Sequence, residues 1–179
     1  MAKLLYSASM SLDGFIAGPG GDMSWLTGHL GPNPIADELI GQIGALLIGN
    51  RTYRGDDPNR GTDKEGAFGG RWSGPQFVLS HHARHTSAPG VVFLDDLHAA
   101  VAEAKAAAGE RYVNILGASV ARQCLQAGLL DEILVFIVPT LLGDGVRLLD
   151  QPGGVDVLLE HLSVHPLPHA TGLWFGVRR

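Results

Sequence analysis

Short apolar runs alternate with segments of helical periodicity along the chain, and this order predicts an α/β fold. The first helical pattern begins where Asn33 can cap a helix with Pro34 at its first position, and we expect Gly44 to end it. Asp95 or Asp96 is expected to cap a second helix. The predicted helices cover residues 34–43, 97–108 and 119–125, and the predicted strands cover 4–8, 45–48, 77–79, 91–94, 112–116 and 133–138.

The last apolar runs, at 162–165 and 173–177, are separated by Pro, His and Gly and predict an antiparallel hairpin. The strand at 133–138 is so apolar and β-branched that both of its faces should be covered. We therefore predict one domain over residues 1–179, a three-layer sandwich with a mostly parallel central sheet, helices on both faces and a C-terminal antiparallel hairpin. Residues 55–74 show little apolar periodicity and are expected to form a long loop.

Composition changes this prediction little, but it excludes several classes of protein. The chain has 179 residues, of which 45% are hydrophobic and 17% are charged, as is typical of a globular domain. Its formal net charge of −5 argues against general nucleic-acid binding, because such binding needs a basic face. A single cysteine allows no intrachain disulfide, and no apolar run suits a membrane span or a signal peptide. We expect a cytoplasmic protein that binds neither nucleic acid nor membranes.

Several predicted strands end in small or hydroxyl residues, where an α/β sheet presents backbone N–H groups to a phosphate. One ends at Gly49, with Arg51 and Thr52 after it, and another ends at Ser80. A third leads into Gly-Ala-Ser-Val at 117–120, at the start of a predicted helix. One such turn is common, whereas several along one chain indicate a bound dinucleotide. Taken singly, the turn at 49–52 is better explained as an ordinary strand-to-helix turn and Ser80 equally well as a polar turn, whereas 117–120 is the strongest candidate for a phosphate loop.

Two segments are more specific than these turns. One is Ser-Leu-Asp-Gly-Phe-Ile-Ala at 11–17, and the other runs from Gly117 through Gly-Leu-Leu-Asp-Glu at 128–132 to Pro-Thr-Leu-Leu-Gly-Asp-Gly at 139–145. In this order the segments resemble the dihydrofolate reductase-like fold, in particular the stand-alone bacterial relatives of the riboflavin-biosynthesis (RibD) C-terminal reductase domain. The resemblance extends from about Lys3 to Val177. It implies a homodimeric NADPH-dependent reductase that acts on a ribosylaminopyrimidine phosphate or another small heterocyclic or carbonyl compound.

The resemblance also implies which residues form the site. Asp13 is expected to face the substrate and to orient it or relay a proton, although an Asp-Gly turn explains this residue equally well. Trp25 ends a glycine-rich loop that can close over a nicotinamide and exclude water. A neighbouring histidine or Arg84 is expected to add positive charge beside Ser80. The residues implied to bind the cofactor are Ala8, Ile16, Gly49, Arg51, Thr52, Leu79, Ser80, Gly117, Ala118, Ser119 and Val120.

The chain departs from the family pattern in three places. Asn50 stands where the family usually has the arginine that grips the 2′-phosphate of NADPH, and Arg51 follows it. Folate reductases carry a carboxylate a few residues beyond the tryptophan, but here no acid follows Trp25 before Asp37, so dihydrofolate is not the expected substrate. Leu-Gly-Ala at 116–118 replaces the Glu-Gly-Gly usual in riboflavin-type domains.

Two other functions remain open on the sequence. One is a nucleotide-binding protein without turnover, which is consistent with the missing carboxylate. The other is a serine hydrolase, because Gly-Ala-Ser-Val-Ala at 117–121 nearly matches a nucleophile elbow. Ser119 would then need Asp131 or Asp144 together with one of the histidines at 161, 165 and 169. Those histidines lack cysteine partners and a clear acidic third ligand, so we predict no metal site.

Overall fold

The computed structural model describes residues 1–55, 59, 61–81, 88–154 and 156–178. Its helices are α1 (Pro34–Gln42), α2 (Asn50–Arg54), α3 (Leu97–Ala108) and α4 (Ala118–Gln126), and 3-10 turns lie at Pro19–Gly21 and Ser24–His29. In chain order the strands are β1 (Leu4–Ser11), β2 (Phe15–Ala17), β3 (Ile43–Gly49), β4 (Gln76–Leu79), β5 (Val91–Leu94), β6 (Tyr112–Leu116), β7 (Glu132–Val138), β8 (Val146–Arg147), β9 (Leu159–Pro166) and β10 (Thr171–Val177).

The central sheet has eight strands in the order β5-β4-β3-β6-β1-β7-β10-β9. All neighbours from β5 to β7 pair in parallel, whereas β10 runs antiparallel to both β7 and β9. This topology confirms the predicted mostly parallel sheet with an antiparallel hairpin at its C-terminal edge. No helix among the described residues has the length and apolar character needed to cross a membrane.

Apolar residues cover both faces of the sheet. Adjacent strand residues point to opposite faces, and Leu46 and Leu47 accordingly belong to different buried clusters. The cluster with Leu47 includes Ala104 of α3 and Val120 of α4, and the cluster with Leu46 includes Leu39 of α1. The predicted three layers are therefore confirmed.

Two predicted helix caps are confirmed, and one predicted helix end is wrong. Asn33 Oδ1 accepts from the backbone N–H of Ala36 at 3.0 Å, and Asp96 Oδ1 accepts from that of Ala99 at 2.7 Å. The first helix ends at Gln42, so Gly44 lies inside β3 instead of closing α1. Glycine is needed at position 44 for close packing, since a Cβ there would stand 2.6 Å from the carbonyl oxygen of Ala108.

Two further elements differ from the sequence-based prediction. The first strand continues to Ser11, beyond the predicted end at residue 8, because residues 9–11 pair with residues 136–138 of β7. The short strands β2 and β8 were not predicted, and they pair with each other as a separate antiparallel sheet. Within residues 61–74 of the predicted long loop, no helix or strand is present, and Trp72 fastens that loop by donating from Nε1 to the Ile43 carbonyl at 3.1 Å.

Candidate active site

Four strands reach one level at the carboxyl edge of the sheet, and each contributes a residue predicted to bind cofactor. Gly49 of β3 pairs with Leu79 of β4. Gly117 follows Leu116, the partner of Ile48, and is therefore level with Gly49. Tyr6 pairs with Ile115, so the same register places Ala8 level with Gly117. We call these four the strand-end row: Ala8, Gly117, Gly49 and Leu79.

The middle of the strand-end row is closely packed. Gly117 has a φ of +109°, and a Cβ added to it would lie 2.5 Å from Thr52 Oγ1. A Cβ on Gly49 would lie 3.2 Å from a methyl group of Val120. The turn after β3 and the turn after β6 therefore touch, as a single binding site requires. Glycine is needed at 117 both for the backbone conformation and for this approach.

The neighbouring hydroxyl residues occupy different environments. Ser80 is buried, and its backbone N–H donates to the Leu94 carbonyl at 2.8 Å. Ser119 is exposed in the first turn of α4, whose N-cap residue Gly117 provides no side-chain hydrogen bond. The first N–H groups of α4 therefore lack a cap and suit an anionic group. Arg84, expected beside Ser80, lies outside the described residues.

The short helix α2 carries two arginines next to the strand-end row. Its first residue, Asn50, accepts from Arg54 Nε at 3.0 Å through Oδ1. Arg51 extends into a cleft of about 470 Å³ and brings positive charge to it. The other residues that line this cleft are Pro19, Gly20, Gly21, Asp144, Gly145 and Val146.

Most of these cleft residues were not predicted. Gly-Asp-Gly at 143–145 carried the family resemblance but was not assigned to the cofactor site, and Pro-Gly-Gly at 19–21 was predicted only as part of the glycine-rich loop that ends at Trp25. The signal that could have found them is the glycine content of both segments, since backbone that approaches a ligand or another loop closely must lack side chains. A Cβ on Gly145 would stand only 2.1 Å from the Ala17 carbonyl oxygen.

Asp13 binds backbone groups of a distant segment. Its Oδ1 accepts from Ser11 Oγ at 2.6 Å and from the N–H of Leu142 at 3.1 Å. Its Oδ2 accepts from the N–H of Gly143 at 2.7 Å. The Ser11 hydrogen bond, assisted by those of Gly143 and Leu142, lowers the pKa of Asp13 to about 2. The carboxylate is therefore ionised at neutral pH, and its expected role toward the substrate stays a prediction.

Further contacts join the same two segments. The backbone N–H of Leu12 donates to the Thr140 carbonyl at 2.8 Å, and that of Leu148 donates to the Gly14 carbonyl at 2.9 Å. The Arg147 guanidinium lies 4.6 Å from the centre of the Phe15 ring, a cation–π distance. Together with the pairing of β2 and β8, these contacts make residues 11–17 and 140–148 one unit, which we call the cleft wall.

The other two predicted residues are Ile16, which is part of the cleft wall, and Trp25, which follows the turn at Pro19–Gly21. Ile16 is half-buried at the centre of β2. Trp25 lies in the second 3-10 turn, with its ring 6.5 Å from that of His29. Its Nε1 is buried and has no hydrogen-bond partner among the described residues. Neither residue lines the 470 Å³ cleft, so their expected roles at the nicotinamide and the substrate stay predictions.

Two of the three histidines considered for a hydrolase, His161 and His165, lie far from Ser119. Ser119 follows β6, whereas His161 and His165 lie on β9, four strands away, which is roughly 19 Å at the usual strand spacing. His161 packs against the Phe175 ring, and His165 Nε2 lies 2.8 Å from Ser163 Oγ. In the described part of the chain, no three His, Cys, Asp or Glu side chains are grouped as a metal site would require.

Comparison with known proteins finds similar sequences and folds. The sequence model of the RibD C-terminal domain matches residues 2–171. The uncharacterized protein YyaP of Bacillus subtilis (strain 168) is 24% identical over 155 residues, which are 80% of this chain and 78% of that protein. A putative riboflavin biosynthesis protein from Shewanella sp. PV-4 has a crystal structure that matches with a TM-score of 0.75 and 24% identity, covering 100% of both chains.

Dihydrofolate reductase from Enterococcus faecalis, solved in complex with NADP(H), also shares the fold. It matches with a TM-score of 0.67 and 16% identity, covering 99% of this chain and 97% of that chain. Together these similarities confirm the resemblance inferred from the segments at 11–17 and 117–145, and they confirm the dihydrofolate reductase-like fold.

Proposed function

Because the chain belongs to the RibD C-terminal domain family, we propose that it is an NADPH-dependent oxidoreductase that reduces a ribosylaminopyrimidine or another small heterocyclic or carbonyl compound. The observation that carries the proposal is the strand-end row, in which Gly49 and Gly117 bring two turns into contact beside a cleft. Such convergence at the carboxyl ends of parallel strands is where α/β proteins bind nucleotides.

The residues present suit a dinucleotide. The uncapped first turn of α4 supplies N–H donors for a phosphate, and Gly117 lets a ligand approach the backbone. Arg51 supplies a cation at the cleft, and Thr52 supplies a hydroxyl where the two turns meet. The described salt bridges do not include Arg51, so its charge is not neutralised by a carboxylate among the described residues.

A bound nicotinamide cofactor would supply the hydride. The protein then has to hold the two reactants together and keep water away from them. The strand-end row fixes the cofactor side of the site. The cleft wall closes the cleft through residues 144–146, next to the turn at Pro19–Gly21. Asp144, which lines the cleft, accepts from the N–H of Gly145 at 2.7 Å and thereby holds this rim in its turn.

Thermal stabilisation by NADPH and NADH tests cofactor binding directly, because a ligand that binds only the folded state raises the Tm. We expect NADPH to raise the Tm, and we expect Arg51→Gln to reduce that rise. Arg111→Gln is the matched control, since Arg111 is an exposed arginine just before β6, at the opposite edge of the sheet. If neither dinucleotide shifts the Tm of the wild type, the proposal is wrong.

Turnover is tested separately. NADPH oxidation should be followed with a panel of ribosylaminopyrimidines, pterins and small carbonyl compounds. Oxidation with one class identifies the substrate class. Binding of NADPH without oxidation on every compound would favour the alternative of a nucleotide-binding protein without turnover, for which the absence of a carboxylate between Trp25 and Asp37 is the supporting observation.

A homodimer is the second part of the proposal, and the edge of the sheet supports it. The eight-residue strand β9 is an edge strand that exposes a row of apolar side chains, and such an edge tends to be covered. Antiparallel self-pairing would bring its acidic start at Glu160 beside the end of a second copy that carries His165. The exposed apolar residues on this edge are Leu158, Leu159, Leu162 and Val164.

Sedimentation velocity tests this pairing. We expect a dimer for the wild type and a monomer for Leu162→Glu. Val92→Glu is the control, because Val92 is also exposed but lies on β5, the edge strand at the other end of the sheet. A monomeric wild type, or a dimer that both substitutions leave intact, would contradict the proposed interface.

A further inference from the structure

The cleft wall consists of two segments that are far apart in sequence. Asp13 and the amides that it binds are separated by 129 positions for Leu142 and 130 positions for Gly143. Both amides directly precede Asp144–Val146, the part of that segment that lines the cleft. On the other side, residues 15–17 of β2 lead through Gly18 into the turn at Pro19–Gly21, which lines the same cleft. Residues 19–21 and 144–146 are thus the two rims of the cleft, and the hydrogen bonds of Asp13 lie next to both of them.

Both oxygens of the Asp13 carboxylate accept hydrogen bonds in these contacts. One oxygen accepts from Ser11 Oγ and from Leu142, and the other accepts from Gly143. Ser11 is itself completely buried, and its Oγ also accepts from the N–H of Phe15 at 3.0 Å. The side chain is therefore held on one side by a buried hydroxyl and on the other by two amides. A group bonded in this way holds a loop in position.

We propose that Asp13 is a positioning residue that fastens the 142–143 backbone to the turn after β1 and thereby sets the shape of the cofactor cleft, without touching the cofactor. The inference rests on the proposed function, since it assigns the cleft to a nicotinamide dinucleotide. Its effect passes through the rims at 19–21 and 144–146, because Gly145 packs closely against Ala17 and Gly18, which lead into the turn at Pro19–Gly21. Asp13 therefore acts on the affinity for the cofactor and leaves the hydride-transfer step to other groups.

An aspartate is required because two separate N–H donors must be accepted by two oxygens. Asparagine has nearly the same shape, but it offers one acceptor and turns an NH₂ group toward either Leu142 or Gly143. One of the two amides then loses its partner. Hydrogen bonds to a charged group are the strong ones, so losing one should matter to the loop that depends on it. The variant Asp13→Asn separates this charge requirement from any requirement for size.

The experiment compares wild type, Asp13→Asn and the control Asp156→Asn. Asp156 is an exposed aspartate in the segment before β9, outside the cleft wall. The measurements are Kd for NADPH by tryptophan fluorescence, Tm without ligand, amide hydrogen exchange at Leu142 and Gly143, and kcat at saturating NADPH with whichever panel compound is reduced. For Asp13→Asn we expect Kd to rise about tenfold or more, as the loss of a charge-assisted hydrogen bond implies.

We also expect faster exchange at Leu142 or Gly143 and a kcat within about threefold of wild type, since an interaction lost equally from ground and transition states leaves kcat unchanged. The control should match wild type throughout. An unchanged Kd would overturn the inference, even if the Tm fell. A large fall in kcat at unchanged Kd would also overturn it, because Asp13 would then take part in the chemistry. Failure of the wild type to bind either dinucleotide would instead overturn the proposed function, and the exchange rates would still test the fastening.

Discussion

Gly117 gives the sharpest test of the strand-end row. The substitution Gly117→Ala has two separable costs. The residue has a φ of +109° and a ψ of 131°, a conformation that other residues adopt at a cost of about 1–3 kcal/mol. The new methyl group would also lie 2.5 Å from Thr52 Oγ1, and Thr52 is β-branched and cannot simply swing away. Forcing a methyl group into such a contact costs roughly a further 1–3 kcal/mol.

A control variant and a second-site change separate these costs. Gly109 also has a positive φ, of +67°, but a Cβ there would meet nothing within 4 Å. Gly109→Ala should therefore show the backbone cost alone. Thr52→Ala removes the oxygen that the new methyl group meets. In the Thr52→Ala background, Gly117→Ala should therefore reduce the free energy of unfolding by the backbone cost alone, without the contact cost of about 1–3 kcal/mol.

The assay is urea denaturation followed by far-UV circular dichroism, which gives the free energy of unfolding of each variant. We expect Gly117→Ala to be less stable than Gly109→Ala, and we expect a favourable coupling energy between Gly117→Ala and Thr52→Ala. Since native domains are stable by about 5–15 kcal/mol, the single variants should still fold at low temperature. If Gly117→Ala costs no more than Gly109→Ala, or if Thr52→Ala gives no relief, the two turns do not meet as the structure shows.

Three further predictions follow from other parts of the fold. Gly44→Ala places a methyl group 2.6 Å from the Ala108 carbonyl oxygen and should lower the free energy of unfolding, measured by urea denaturation, by about 1–3 kcal/mol. Gly41→Ala is the control, because a Cβ there lies in open space on α1, and it should be neutral or stabilising. Equal effects of the two substitutions would contradict this packing. Burial raises the pKa of Cys124 to about 12, so a disulfide thiol reagent should label it at pH 8 only after unfolding, and rapid labelling of the native protein would contradict its burial. The folded pKa of Asp13 lies below its unfolded value of 3.8, so its contribution to stability is present above pH 3.8 and is lost as the pH falls toward 2. The difference in unfolding free energy between wild type and Asp13→Asn should therefore shrink over that range. A constant difference would refute this prediction.

Local signals made much of the fold predictable. Caps act within a few residues, so Asn33 could be assigned from sequence alone and the second cap could be narrowed to Asp95 or Asp96, of which the structure shows Asp96. The strand-end turns were visible because glycine and hydroxyl residues directly follow apolar runs, and the register of the sheet then brings Gly49 and Gly117 to one level. Gly44 was misassigned because a glycine after a helical pattern usually marks its end, whereas here the tertiary contact with Ala108 requires it.

The cleft wall could not be predicted in the same way. The strands β2 and β8 are three and two residues long, too short for an alternating pattern to be visible. The partners of Asp13 lie 129 and 130 positions away, and nothing near residue 13 indicates which distant amides it binds. An Asp-Gly pair is consistent with a turn, a substrate contact or a tertiary hydrogen bond, and only the fold distinguishes them.

The strand order has a consequence for how the polypeptide acquires its shape. Strand β1 lies in the middle of the sheet between β6 and β7, which are synthesised more than a hundred residues after it. The apolar side chains of β1 therefore stay uncovered until β6 and β7 have been synthesised. Pairing between strands so distant in sequence is slow, and until it is complete the chain exposes apolar surface that is prone to aggregation. The cleft is thus among the last features to appear during biogenesis, because residues 144–146, which line it, follow β7 in the chain.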